Sequence, residues 1–248
     1  MRVENSFIGV EGVGEKTERD LWQDGIVHWD DFHADAVGPK TAERVEQFID
    51  EGYDRLAADD VAYFDRAFPS TENWRLWETF AERACCFDIE TTGLDQHRDS
   101  VTTVSYYQDG NVETLVRGDD LTADAIEAMV EDAGLLVSFN GKRFDVPFLE
   151  ASFDVDLDLP HLDLMYTCKQ LGLSGGLKPI ERQVGIERDR PDISGRDAVR
   201  LWHQHERGED GALETLISYN QDDAVNLATL AEEVTGDLHD ETFEAVRQ

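Results

Sequence analysis

The chain contains few cysteines, and the three that are present follow no pattern that would organise a fold. Cys85 and Cys86 are adjacent within an apolar stretch, and Cys168 lies far from both. Three cysteines do not form a disulfide framework, and their spacing excludes a zinc site built from CxxC pairs. The thiols are therefore predicted to be buried and free.

Long apolar runs are absent as well. No segment approaches the roughly 18 consecutive apolar residues that a membrane-spanning helix needs. The first residues of the chain carry charged side chains and lack the apolar core of a signal peptide. The sequence therefore predicts a soluble cytoplasmic protein with no membrane partner, and it identifies no protein partner.

Lysine is scarce. The sequence has five lysines, seventeen arginines and 55 acidic residues, which gives a formal net charge of −33 over 248 residues. Such an excess would repel nucleic acid, because phosphate binding relies on basic side chains. Acidic residues spread over a lysine-poor chain are also typical of a high-salt cytoplasm, where 1 M salt screens repulsion within about 3 Å. We interpret the charge as such a halophilic adaptation rather than as information about a partner.

The order of predicted elements divides the chain into domains. Residues 1–80 are predicted to form a small helical domain, and Gly12-Val13-Gly14 resembles the hairpin of a helix-hairpin-helix motif, with a purely structural connection as the alternative. In residues 82–235, three strands lead into alternating helices and strands, which predicts an α/β protein with a mixed sheet. Residues 236–248 are predicted to be an acidic tail. The helical patterns of the first domain cover 16–22, 40–52, 57–68 and 74–80.

Two acidic residues lie at the end of the first predicted strand. Asp88 and Glu90 are separated by Ile89, so alternation along a strand places both carboxylates on one face of the sheet. Two like charges side by side are costly to bury unless a cation compensates them. Oxygen ligands favour Mg²⁺ or Mn²⁺, and this pair is therefore a candidate metal site.

Two further acids follow in the chain. Asp145 comes after a predicted strand and opens a helix, and Tyr219 and Asp223 are four residues apart and share a helix face. Each has a structural alternative when taken alone. Asp145 suits the first turn of a helix through the helix dipole, Asp223 could be a surface charge, and Tyr219 could be a core aromatic residue.

The stretches FDIETTG, NGKRFD and YNQDD, in this order, resemble the three motifs of the DnaQ-like DEDD exonucleases in their tyrosine (DEDDy) branch. The segment LKPIERQVGIERDRPDISGRDAVRLW followed by YNQDDAVNL is similar to the ribonuclease-H-like family typified by YprB, here a haloarchaeal-type member. The similarity covers residues 84–235. It implies a ribonuclease-H-like mixed five-stranded sheet flanked by helices, preceded by a small helical domain.

Position by position, the resemblance implies four metal-binding acids and a tyrosine that orients the attacking water. These catalytic residues are Asp88, Glu90, Asp145, Tyr219 and Asp223. The implied activity is that of a metal-dependent hydrolase, a 3′–5′ exonuclease that uses two Mg²⁺ or Mn²⁺ ions on single-stranded DNA or RNA. A structure-specific endonuclease on the same fold and a non-catalytic nucleic-acid-binding module are the alternatives.

The resemblance also implies contacts with the terminal nucleotide. The matching positions are Thr91, Gly93, Leu94, Asn140 and Phe144. The structural alternatives are a turn at Gly93 and core packing for Leu94 and Phe144.

One segment departs from the general acidity. Residues 165–207 contain eight basic and six acidic residues, which gives a net charge of +2. We hypothesise that Lys178, Arg182 and Arg196 contact the nucleic-acid backbone. Pairing of arginines with acids on exposed helices is the alternative explanation.

Overall fold

The computed structural model describes residues 1–188 and 193–247. The chain divides into two compact units, one made of Met1–Ala81 with Glu232–Gln248 and the other of Glu82–Ala231. Among the described residues, no helix is both long and apolar enough to cross a membrane.

The N-terminal unit is mostly helical. Its helices are α1 Glu15–Gln23, α2 Pro39–Ala57, α3 Val61–Ala67 and α4 Trp77–Phe80, and shorter 3₁₀ segments lie at Val3–Asn5, Trp29–Asp31, Ala34–Ala36 and Ser70–Leu76. The single helix predicted over 57–68 is broken, because Asp59 has a φ of 51° and Asp60 begins a new helix by capping the amide of Tyr63. The helix predicted over 74–80 is a 3₁₀ segment followed by one α-helical turn.

A buried ion pair lies at the centre of the N-terminal unit. Glu18 and Arg75 are both almost inaccessible to solvent, and Arg75 Nη1 lies 2.9 Å from each carboxylate oxygen of Glu18. Glu18 also accepts hydrogen bonds from the amides of Phe7 and Ile8. The carboxylate thus satisfies the backbone of the segment that precedes α1, where Gly14 is the N-cap residue.

The C-terminal residues are helical and belong to the N-terminal unit. A π-helical segment, Asp240–Glu244, is followed by a last short helix, Ala245–Arg247. The Phe243 ring is buried and packs edge-on against Trp22, with the ring centroids 5.0 Å apart. The residues predicted as a tail therefore carry an apolar anchor.

The second unit is built on one sheet. Its strands are β1 Ala84–Thr91, β2 Val101–Gln108, β3 Asn111–Val116, β4 Leu135–Ser138 and β5 His161–Asp163, arranged in the order β3-β2-β1-β4-β5. The β1-β2 and β2-β3 pairs are antiparallel, and the β1-β4 and β4-β5 pairs are parallel. The predicted α/β fold with a mixed five-stranded sheet is confirmed.

Among the described residues, six helices belong to the same unit as this sheet. They are α5 Ala123–Glu131, α6 Asp145–Phe153, α7 Leu164–Gln170, α8 Leu177–Val184, α9 Gly195–Glu206 and α10 Ala212–His239, the last of which continues into the first unit. One apolar core contains Phe87, Leu136 and Phe148, and a second contains Trp202 and Leu216. The three cysteines are buried and free, as predicted.

The sheet is staggered at the carboxyl end of β1. Strand β1 pairs with β4 only over Ala84–Cys86, whereas its pairing with β2 continues to Thr91, with an irregularity between Glu90 and Thr91. The last residues of β1 therefore extend beyond β4. The part of β1 that carries Asp88 and Glu90 is therefore not paired with β4, and it lies beside the loop that follows β4.

Candidate active site

Three carboxylates converge at the end of β1. Asp88 and Glu90 on β1 and Asp223 on α10 each offer one oxygen atom, and these atoms all lie within 4.8 Å of one another. Asp223 is buried, while the other two are partly accessible. Residues 133 and 135 positions apart in the sequence are thus brought together, as the motif order implied.

Asp145 joins this group through the backbone of β1. Its Oδ1 accepts a hydrogen bond of 3.2 Å from the amide of Ile89, the residue between Asp88 and Glu90. The Asp145 side chain is 5% exposed. The Asp145 carboxylate therefore contacts the backbone of β1, the strand that carries Asp88 and Glu90. Its interactions are not limited to the first turn of its own helix.

The turn between β4 and α6 holds Asp145 in place. Ser138 Oγ lies 2.7 Å from His161 Nε2 and accepts a hydrogen bond from the amide of Gly141. A Cβ atom on residue 141 would lie 2.2 Å from Ser138 Oγ, so only glycine fits there. Asn140 has a φ of 68°, which completes the tight turn into the helix.

A buried aspartate fixes the same turn from the other side. Asp163, at the end of β5, accepts hydrogen bonds from the amides of Asn140 (2.7 Å), Lys142 (3.2 Å) and Met165 (3.1 Å). Burial raises the pKa of Asp163, and these amide donors oppose the increase. Asp163 therefore positions the loop that leads to Asp145.

An asparagine that the motif analysis did not single out orients Asp88. Asn220 is fully buried, and its Nδ2 donates a hydrogen bond of 2.8 Å to Asp88 Oδ2. Thr103 Oγ1 donates to Asn220 Oδ1 over 2.8 Å, which fixes the orientation of the amide. The only signal in the sequence was its place next to Tyr219 in YNQDD.

The pKa of each of the four carboxyl groups is raised above its ordinary value. Burial is the largest cause, and for Asp88 and Glu90 it is reinforced by the charges of Asp223 and Asp145. Burial raises the pKa of Asp145 to about 7, although the hydrogen bond from Ile89 opposes the increase. Burial raises the pKa of Asp223 to about 6, against the opposing charge of Arg188. The site is short of positive charge.

One arginine is already in contact with the acidic group. Arg188 Nη1 forms an ion pair with Asp223 Oδ1, and its Nε and Nη2 bind both carboxylate oxygens of Glu181, Nη2 at 2.7 Å from Oε1. Glu181 is fully buried and also accepts a hydrogen bond of 3.1 Å from Asn226. Neither Arg188 nor Glu181 was assigned a role from the sequence, because the loop that separates them hides their spacing.

The acids line a cleft that has a volume of about 350 Å³ and also contains one lysine and one tyrosine. Lys178 Nζ lies 4.3 Å from the centroid of the Tyr219 ring and has no hydrogen-bond partner among the described residues. Burial, followed by the charge of Arg188, lowers the pKa of Lys178. Burial and the neighbouring carboxylates raise the pKa of Tyr219, so its hydroxyl stays protonated.

The residues implied as nucleotide contacts fall into two sets. Asn140 and Phe144 line the cleft. Thr91 Oγ1 instead donates to the carbonyl of Gly93 over 2.5 Å, and Gly93 packs against Asp99 so closely that a Cβ atom would clash with it. The turn alternative therefore accounts for Gly93.

Leu94 and Phe144, two other implied nucleotide contacts, are in different surroundings from Gly93. Leu94 is 85% exposed, so core packing does not explain it. Phe144 is partly buried and packs on Phe148, with ring centroids 5.4 Å apart, while it also lines the cleft.

Of the three basic residues of the predicted backbone contact, Lys178 and Arg182 line one cavity, and Arg196 is not among the residues that line it. Lys178 lines the cleft, whereas Arg182 is exposed and lines a neighbouring cavity of about 290 Å³ that also includes Lys178 and Arg188. Arg196 is exposed beside Gly195, which belongs to the cleft.

The acidic group fits a divalent cation. Carboxylate oxygens from three residues share one small space, their pKa values are raised by burial and by one another, and hard oxygen donors suit Mg²⁺ or Mn²⁺. Asp88, Glu90 and Asp223 could hold the ion, with Asp145 adjacent.

Comparison with solved structures supports the fold through one of the structures that are similar to this chain, a DNA polymerase. The family B DNA polymerase of the hyperthermophilic archaeon Pyrobaculum calidifontis matches with 20% identity and a TM-score of 0.54, over 66% of this chain and 26% of the polymerase. Brucella melitensis NrnC bound to pGG has 20% identity and a TM-score of 0.49, over 66% of this chain and 78% of its own. A nuclease in its apo form has 19% identity and a TM-score of 0.48, over 66% and 77%.

Sequence comparison gives the family. No curated protein matches the chain. A family model described as the RNase_H superfamily matches residues 85–235, which is more than half of the chain and includes the sheet, all four acids of the site and Tyr219. The chain belongs to the RNase_H superfamily.

Proposed function

We propose that the protein is a metal-dependent 3′–5′ exonuclease of the DEDDy type that hydrolyses phosphodiester bonds of single-stranded DNA or RNA. The observation that carries the proposal is the convergence of Asp88, Glu90, Asp145 and Asp223, with Tyr219, in one cleft of an RNase_H superfamily fold. The extended stretch of similarity to the YprB-type family supports the same activity.

The charge of the site supports two divalent ions. Among the described residues, the four acids and Glu181 carry five formal negative charges, and Lys178 and Arg188 carry two positive ones. Three negative charges are left. Two divalent ions and one phosphodiester anion would bring this sum to zero, whereas one ion would leave the phosphate facing a negative site.

The residues of the cleft have separate roles in this proposal. Asp88, Glu90 and Asp223 would hold one ion, and Asp145 with Asp88 would hold a second. Such ions, when bound, lower the pKa of water and offset the charge on the leaving oxygen. Tyr219 orients the attacking water as a hydrogen-bond donor, since its raised pKa excludes the role of a base. Lys178 donates to a phosphate oxygen.

The dimensions of the cleft favour the end of a single strand. A volume of about 350 Å³ is at the small end of the roughly 300–1,000 Å³ typical of ligand pockets. The Phe144 ring and the Asn140 side chain line this space, and the exposed Leu94 is available for contact with a base. Arg182 and Arg196 would follow the backbone outside the cleft. We also propose that the protein acts in a salt-rich cytoplasm, which would screen its surface charge from the substrate.

The proposal predicts degradation that depends on a free 3′ end. With Mg²⁺ or Mn²⁺ at molar salt, linear single strands of DNA or RNA should be shortened from the 3′ end. Strands closed by a 3′ inverted nucleotide, and circular strands, should remain intact. Asp88→Asn should lower the rate about a thousandfold or more, because it removes a charge shared by both ions. The exposed Asp158→Asn variant should be unaffected. Cleavage of circular strands would instead support an endonuclease. If no strand were cleaved, the result would support a non-catalytic binding module.

A second prediction concerns Lys178. Lys178→Gln should lower kcat/KM about a hundredfold, since it removes a donor aimed at the phosphate. Its melting temperature should fall by only a few degrees, because the ammonium loses a cation–π contact with Tyr219 but no hydrogen bond to a described residue. The control is Lys169→Gln, which changes an exposed lysine of the same unit. If Lys178→Gln kept full activity, or lost activity only through unfolding, the role of Lys178 would be wrong.

A third prediction concerns stability without metal. The folded state holds protons on Asp145 and Asp223 more tightly than the unfolded chain does. The stability gained in this way is complete below about pH 4 and is lost as the pH rises through about 6 and about 7. In EDTA, the free energy of unfolding should therefore fall by about 4 kcal/mol between pH 5 and pH 8.

The matched variants separate this effect from general charge repulsion. Asp145→Asn keeps an acceptor for the Ile89 amide but cannot ionise, so its loss of stability between pH 5 and pH 8 should be smaller than that of the wild type. The exposed Asp158→Asn variant should lose as much stability as the wild type does. Denaturant titrations at both pH values measure the difference, and equal losses in all three proteins would contradict the assignment.

A further inference from the structure

Arg188 is the cation in contact with Asp223, and its position is determined by three residues. Its guanidinium uses Nε and Nη2 on Glu181, and only Nη1 reaches Asp223. Asn226 on α10, one helical turn after Asp223, donates a hydrogen bond to Glu181 Oε1. The guanidinium is therefore held between a buried anchor and a member of the acidic group.

Burial strengthens the electrostatic effect of this arrangement. The Arg188 side chain is 5% exposed and Glu181 is fully buried, so solvent screens their charges poorly. An arginine keeps its positive charge at any pH at which the protein is folded. Asp223 thus always has one positive charge beside it, and any other cation that binds Asp223 is repelled by that charge.

We infer that Arg188 is a built-in cation of the metal site, which holds Asp223 in place without metal and weakens the affinity of the site for divalent ions. Glu181 limits this effect, because its carboxylate partly neutralises the guanidinium charge. The inference rests on the proposed function, since it assumes that the acidic group binds divalent ions. Arg188 is in this sense a positioning residue, because it acts through Asp223 and not on the substrate.

Two substitutions at the two ends of the same ion pair should change metal affinity in opposite directions. Arg188→Gln removes the repelling charge and should lower the Kd for Mn²⁺ about tenfold. Glu181→Gln keeps an acceptor for Asn226 but leaves the guanidinium charge uncompensated, and it should raise the Kd about tenfold. A purely structural ion pair would predict the same direction for both variants, because both break it.

Isothermal titration with Mn²⁺ alone measures these affinities, and thermal melting in EDTA provides a second readout. Arg188→Gln should melt below the wild type in EDTA and should regain most of the difference in saturating Mn²⁺, since metal replaces the lost cation. Arg188→Lys, which keeps the charge, should have a Kd within about threefold of the wild type. Arg207→Gln removes an exposed arginine and is the control.

The outcomes distinguish this inference from the proposed function. If the wild type binds Mn²⁺ and the two Gln variants shift its Kd in the same direction, or neither does, the role of Arg188 is wrong and the metal site stands. If the wild-type protein binds no Mn²⁺, the proposed function fails and this inference fails with it.

Discussion

Mutual repulsion among carboxylates is the constraint around which the second unit is organised. Asp88, Glu90, Asp145 and Asp223 are gathered where water is scarce, and burial raises the pKa of each. Protein groups relieve only part of this cost. The amide of Ile89 donates to Asp145, and Arg188 pairs with Asp223. The remaining negative charge suits divalent cations, which under the proposed function would allow an acidic cleft to accept a phosphodiester.

The neighbouring structure keeps these charges in place. The β4-α6 turn depends on Gly141, because no residue with a Cβ atom fits against Ser138. It also depends on Asp163, which accepts hydrogen bonds from three backbone amides. On the opposite side, Asn220 connects Asp88 to Thr103 on β2. The acids are thus fixed from three elements that are far apart in the sequence, as a site that must bind ions at defined positions requires.

Much of the fold and most of the acidic residues of the site could be predicted from the sequence, because they depend on local patterns. Alternation along β1 predicted that Asp88 and Glu90 lie on one face, and their carboxylate oxygens do lie within 4.8 Å of each other. The break at Asp59 was missed, since a single left-handed aspartate has no periodic signature in the sequence. Glu181 and Arg188 could not be paired from the sequence, because the chain between them leaves the helix and no regular spacing relates the two side chains.

The most direct measurement of the central claim is a crystal structure in Mn²⁺ with a mononucleotide, using the anomalous signal of manganese. We expect two manganese peaks in the cleft, one among Asp88, Glu90 and Asp223 and one between Asp88 and Asp145, with the phosphate of the nucleotide between them and Lys178. A cleft without manganese at saturating concentration, or manganese bound only elsewhere on the acidic surface, would contradict it.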